Sequence, residues 1–204
     1  MVRQLFRRLG LRAIVGLVLV TSMALFLTSC ALFRAGTLNP GGGVISTAPA
    51  APDGRGVAFG AVLINTSNTD QISLDSVDLY GVRGVELAEA DTTTMDKPVG
   101  IGAWIPPLLN DKGVDNSESI ANWAQRTALD QSVMEPQGYL WLVLVLQATS
   151  TEDCVYADGF IVRYHEYGHK YSTKFEIGMV IGRSGFDVMT ACQDTIDAIS
   201  ARHN

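Results

Sequence analysis

The sequence predicts a mainly β protein, an antiparallel β-sandwich of about seven strands with one or two short helices. Three observations predict it. Apolar and polar residues alternate with period two along 71–79 and again along 171–179. Clusters of Gly, Asn, Ser and Asp separate the apolar runs. The most apolar stretch after residue 30, at 138–146, has the length of a strand covered on both faces.

The chain starts with a basic stretch and then an apolar one. Residues 1–12 carry Arg3, Arg7, Arg8 and Arg12 and no acid, and residues 13–27 are uncharged. At about 1.5 Å per residue, a helix of that apolar length falls short of the roughly 30 Å hydrocarbon core. A basic head, a short apolar run and small residues at its end are the parts of a secretory signal peptide, here residues 1–29. Leu27-Thr28-Ser29-Cys30 resembles the bacterial lipobox, an aliphatic residue and two small ones before a Cys. The resemblance implies that the Cys30 thiol receives a diacylglycerol and that the chain is cut before it. It also implies a bacterium, and a cell-membrane location on the extracytoplasmic face. Two acyl chains, at about 0.8 kcal/mol per buried CH₂, hold a protein to a bilayer without spanning it. Residues 30–56 are rich in Gly, Ala, Pro, Ser and Thr and lack periodicity. They are expected to form a lipidated flexible tether with an r.m.s. reach of about 25–30 Å.

The whole chain has 15 Lys and Arg against 21 Asp and Glu, and four of the arginines lie in 1–29, so residues 30–204 carry 11 − 21 = −10. That balance argues against nucleic acid, whose phosphates need a basic face. It argues equally against anionic lipid headgroups. No D-x-D-x-D-G calcium loop, P-loop or G-x-G-x-x-G in a strand-to-helix setting is present, and no cofactor is expected. With Cys30 used by lipid, Cys154 and Cys192 are an even pair in an oxidising compartment and are expected to form one disulfide.

Order is expected from Val57, so that 57–204 is the sandwich domain. Residues 57–64 read as a buried strand, and Asn65-Thr66-Ser67-Asn68-Thr69-Asp70 as a turn whose side chains bond their own backbone. Ile72, Leu74, Val77 and Leu79 mark the apolar face of the next strand, and the slip between Leu74 and Val77 predicts a bulge. A third strand is expected over Val85–Ala88, then a polar loop at 91–97. Trp104-Ile105 reads as a short strand stopped by Pro106 and Pro107. Ile120, Trp123, Ala124 and Ala128 fall at helical spacing after a cap at Asn116 or Ser117. Beyond the central run at 138–146, Phe160, Val162 and Tyr164 line one face of a strand, and 171–179 forms the next. The tail 188–202 fits a helix through Val188, Cys192, Ile196 and Ile199, while Phe186–Met189 also fits a last strand.

The segment GAVLINTSNTDQISLDSVDL, within 57–90, resembles the first hairpin of immunoglobulin-like domains on small bacterial envelope lipoproteins. The resemblance implies an immunoglobulin-like sandwich that acts as a binding or structural interaction module, with envelope proteins as partners. The same opening resembles periplasmic copper chaperones of sandwich type. The downstream His/Met set of those proteins does not recur among His165, His169, His203, Met95, Met134, Met179 and Met189.

One motif points elsewhere. His165-Glu166-Tyr167-Gly168-His169 matches H-E-x-x-H, which on a helix puts two imidazoles on one face for zinc, with Glu166 as general base. That is the alternative reading, a small zinc-dependent metallopeptidase. Its flanks are β-branched and aromatic upstream and alternate with period two downstream, so a β-hairpin connection is expected instead. No third ligand follows at the extended spacing.

Overall fold

The computed structural model describes residues 36–39, 44–51, 53–94, 102–106, 123–183 and 187–203, and among these described residues thirteen strands and two C-terminal helices are laid out. In order they are β1 (Leu38–Asn39), β2 (Val44–Pro49), β3 (Val57–Asn65), β4 (Ile72–Tyr80), β5 (Val85–Thr93), β6 (Gly102–Trp104), β7 (Thr127–Ala128), β8 (Val133–Met134), β9 (Tyr139–Ala148), β10 (Cys154–Ala157), β11 (Gly159–Glu166), β12 (His169–Phe175) and β13 (Ile177–Gly182). Helices α1 (Val188–Ala191) and α2 (Gln193–His203) follow. The protein is a mainly β sandwich with antiparallel sheets, as the sequence predicts.

One sheet runs β1-β3-β9-β5-β7, with β6 beside β1 on the outer edge of β3. The opposite layer holds β12-β11-β4-β8 and β10-β13-β2. Strands β10 and β11 follow one another across Asp158, and β12 and β13 across Glu176. These two ladders are therefore halves of one long ribbon, interrupted at that level. The side chains of Phe59, Leu63, Leu142, Leu144 and Leu146 from the first sheet meet Leu74, Phe160, Val162, Phe175 and Met179 from the second in one core. Strands β3 and β9 pair over eight residues at the centre of their sheet. Their other face buries Ala58, Val143 and Val145, with Trp123 packed against them. Burial on both faces explains why 138–146 reads as a continuous apolar run.

The helices cover the outer face of β13. Val188, Cys192, Ile196 and Ile199 bury Val180 in a second, smaller core. Gly178 permits this approach, because a Cβ there would crowd Ile199 and Ile45. All six residues of β13 are buried, one face against each core. Asp187 caps α1 by accepting from the Thr190 N–H at 3.2 Å. Arg202 near the end of α2 donates to both carboxylate oxygens of Asp158, at 2.8 and 2.6 Å. The tail is thus helical, and the last strand ends at Gly182.

Several expectations need correction. The tether expected over 30–56 is not free along its length, since β1 pairs with β3 and β2 runs parallel to β13 from Val44 to Pro49. The fold begins near Gly36, and Gly36–Asn204 form one unit. Strand β5 continues to Thr93 rather than ending at Ala88, because Asp91, Thr92 and Thr93 still pair with β9. The run 171–179 is two strands in two ladders. The short strand expected at 104–105 is β6, ending at Trp104. Of the helix expected near 117–128, residues 116–122 lie outside the described residues, Trp123 and Ala124 are helical, and Ala128 is in β7. Cys30, the signal segment 1–29 and Met95 also lie outside the described residues.

Candidate functional site

The β11–β12 hairpin carries the H-E-x-x-H string. Tyr167 and Gly168 form its two-residue turn with φ of 53° and 74°. Two positive φ values in a row are the type I′ geometry whose twist matches that of the flanking strands. Gly168 meets this requirement without strain, and Tyr167 does not. The ladder sets His165 opposite Lys170 and Glu166 opposite His169. Directly opposed residues share a face, and neighbours along a strand alternate. His165 and His169 therefore project from opposite faces of the ribbon, with Glu166 on the face of His169. The helix that would join both imidazoles on one zinc ion is not what these residues form. Among the described residues no group of three or more His, Cys, Asp or Glu side chains is placed to hold a metal ion.

His165 and Glu166 each make other contacts. His165 Nδ1 lies 2.7 Å from Asp75 Oδ1. The expected bulge makes this contact, for Arg163 pairs with Ser76 and Tyr164 with Leu74, which leaves Asp75 as the extra residue. Glu166 is only 5% exposed and points inward. Its carboxylate accepts from the Thr37 N–H at 3.1 Å and the Thr37 hydroxyl at 2.9 Å. The Thr37 hydroxyl is also 3.1 Å from Asn65 Oδ1. Asn65 is wholly buried. Its Oδ1 accepts from the Ser67 N–H at 2.9 Å, and its Nδ2 donates to the carbonyls of Asp70 at 2.7 Å and Glu135 at 3.0 Å. The Ser67 hydroxyl accepts in turn from the Asp70 N–H at 2.9 Å.

These bonds gather the β3–β4 loop, the β8–β9 loop, the hairpin and the start of β1 at one end of the sandwich. They hold the loops in one arrangement. Asn65 in Asn-Thr-Ser is thus a brace and not an open side chain. Tyr164 lies beneath them, fully buried, and burial pushes its phenol above the usual range. Gly36 rests on that phenol oxygen, where any Cβ would collide with it.

On top of this braced end stands Tyr167, 64% exposed, its hydroxyl 3.1 Å from Thr69 Oγ1. Asn favours the left-handed backbone that Tyr167 adopts. Tyr167→Asn is expected to raise the unfolding free energy by about 1 kcal/mol, read from a urea titration. Tyr167 thus combines a left-handed backbone with an exposed ring at the tip of the hairpin.

The sequence pattern places the hairpin and the turn at 65–70, but it offers Glu166 only the role of general base in the zinc reading. The brace to Thr37 was missed, because Thr37 lay in the expected tether. The Tyr-Gly dipeptide between two strand patterns was the available signal for an exposed aromatic tip.

The disulfide lies elsewhere. Cys154 and Cys192 are bonded, with Cα atoms 5.8 Å apart, and join the edge strand β10 to the α1–α2 junction. Away from the hairpin, a cleft of about 350 Å³ opens between the ends of the two layers. Val57, Leu146, Ala148 and Ile181 line it, together with Arg55 and the exposed Arg183. Arg55 donates to the Pro106 carbonyl at 2.8 Å and pairs with Asp53.

No family model matches the chain, and no curated protein or solved structure matches it.

Proposed function

We propose that the chain is a membrane-anchored lipoprotein of the bacterial cell envelope, acting as a binding or structural interaction module. The cysteine accounting carries this reading. Two of the three cysteines are bonded to each other, as suits an oxidising compartment. The third is Cys30, at the end of Leu27-Thr28-Ser29-Cys30 and after a basic and an apolar stretch. Export explains the disulfide, and acylation explains the remaining thiol.

The strand order supports an immunoglobulin-like form of the sandwich. The order β1-β3-β9-β5 facing β12-β11-β4 corresponds to A-B-E-D facing G-F-C in immunoglobulin-type domains. Such domains present loops at both ends of a rigid body, and envelope proteins are the proposed partners. The cleft lined by Val57, Leu146 and Ile181 is a concave feature that a partner side chain or small ligand could fill.

Detergent phase partitioning tests the anchor. The wild-type protein is expected in the detergent phase, and Cys30→Ser in the aqueous phase. Recovery of both in the aqueous phase would sink the reading.

A further inference from the structure

We propose that the hairpin end of the sandwich is a membrane-contact surface, resting at the headgroup–acyl boundary of the bilayer that holds the lipid anchor. The inference rests on the acylation of Cys30 proposed above, and adds which end of the domain meets the membrane and through which side chains.

Chain length supplies the first argument. Thr37 is fixed to Glu166 and Asn65 at the hairpin end. Six steps of the chain lead from Cys30 to Gly36, and that length spans at most about 20 Å fully extended. Strand β9 alone has 10 residues, about 33 Å at 3.3 Å per residue. An anchor at Cys30 therefore keeps the hairpin end as the near end of the domain, and the cleft end far from the surface.

The second argument is the distribution of apolar side chains. Ile64, Val133, Tyr139 and Tyr167 are four of the seven large apolar residues exposed among the described residues, and all four belong to this end. Ile64 and Tyr139 are a cross-strand pair on the outer face of the first sheet. Val133 pairs with Ser73 on the opposite layer. Tyr167 is the tip of the hairpin, its hydroxyl 3.1 Å from Thr69 Oγ1. The other three, on both layers, and Tyr167 at the tip are spread over the end rather than gathered in a patch on one flank. That spread suits an end dipped into an interface, and an aromatic ring with a hydroxyl suits the headgroup level.

Charge decides which lipid is favoured. Asp70 and Glu135 stand in the loops of this end, with Lys170 and His169 on the hairpin. Among the described residues of this end no basic cluster is present to seek anionic lipid. The contact is apolar, favours neutral zwitterionic lipid and resists salt.

The test uses the processed, acylated chain in vesicles of zwitterionic phosphatidylcholine. An environment-sensitive dye is placed at Tyr167→Cys, with Val82→Cys as the control. Val82 is exposed and follows Gly81, at the far end of β4 from the hairpin. Intact mass confirms that the Cys154–Cys192 bridge persists in each. Flotation with the vesicles reads the anchor, and quenching by nitroxide-bearing lipid reads the contact. The expected result is flotation of both, with several-fold quenching of the dye at 167 and none at 82, unchanged at high salt. Flotation with equal quenching at both positions overturns this inference and leaves the anchor standing. Failure to float overturns the anchor and the inference with it. A dye at 167 that is shielded but not quenched by lipid means that a protein covers this end, and also overturns the proposal.

Discussion

Replacing both Cys154 and Cys192 by Ser is expected to lower the unfolding free energy by about 4 kcal/mol. The bridge spans 38 residues. Closing a loop of that length removes about 13 cal/mol/K of chain entropy from the unfolded state, or about 4 kcal/mol at 25 °C. The loss also falls on particular elements. Without the bond, α1 and α2 are held by the small core around Val180 and Ile199 and by the pair between Arg202 and Asp158. Amide exchange should therefore speed up first in α1 and α2, before β3 and β9 are affected. Urea unfolding of the variant against the oxidised protein measures the magnitude. An unchanged midpoint would show that the bridge contributes nothing to this fold.

Asn65→Ala is expected to cost about 3 kcal/mol, which is large for a single polar side chain. Asn65 has no exposed surface, and its amide bonds groups from the β3–β4 loop, the β8–β9 loop and Thr37 at once. Truncation leaves the partly buried Asp70 and Glu135 carbonyls short of a donor, at the lower end of about 1–3 kcal/mol for each unsatisfied group, and opens a hole where the wholly buried side chain stood. Asn65→Asp keeps Oδ1 but loses both donated bonds and adds a charge close to Glu166. It is expected to be at least as damaging, which separates hydrogen bonding from shape. In either variant the hairpin end should lose its fixed arrangement. Amides of Thr37 and Ser67 would then exchange faster while those of Leu144 stay protected.

Both predictions depend on contacts that were legible to different degrees. The hairpin at 165–169 was readable because its signals are local: a β-branched run, a Gly in the connection and clean alternation after it. The bulge at Asp75 was readable for the same reason, as a one-residue slip in the pattern of Ile72, Leu74, Val77 and Leu79. Strand β2 was not. Val44-Ile45-Ser46-Thr47-Ala48-Pro49 has the composition of a linker and becomes a strand through parallel pairing with β13, far along the chain. The break at Glu176 was hidden too, because the alternation of Phe175, Ile177 and Met179 continues across it. The two halves differ in their pairing partners, and in the burial of β13 on both faces. Glu166 shows the limit most clearly. Its residue type and spacing suggest catalysis, and its partner Thr37 lies 129 positions away.

The intact mass of the protein extracted from membranes tests the central claim most directly. The account predicts a chain that starts at Cys30, carries acyl chains there, and gains two hydrogen masses on reduction as the Cys154–Cys192 bridge opens. A chain that retains residues 1–29, with Cys30 as a free thiol, would contradict it.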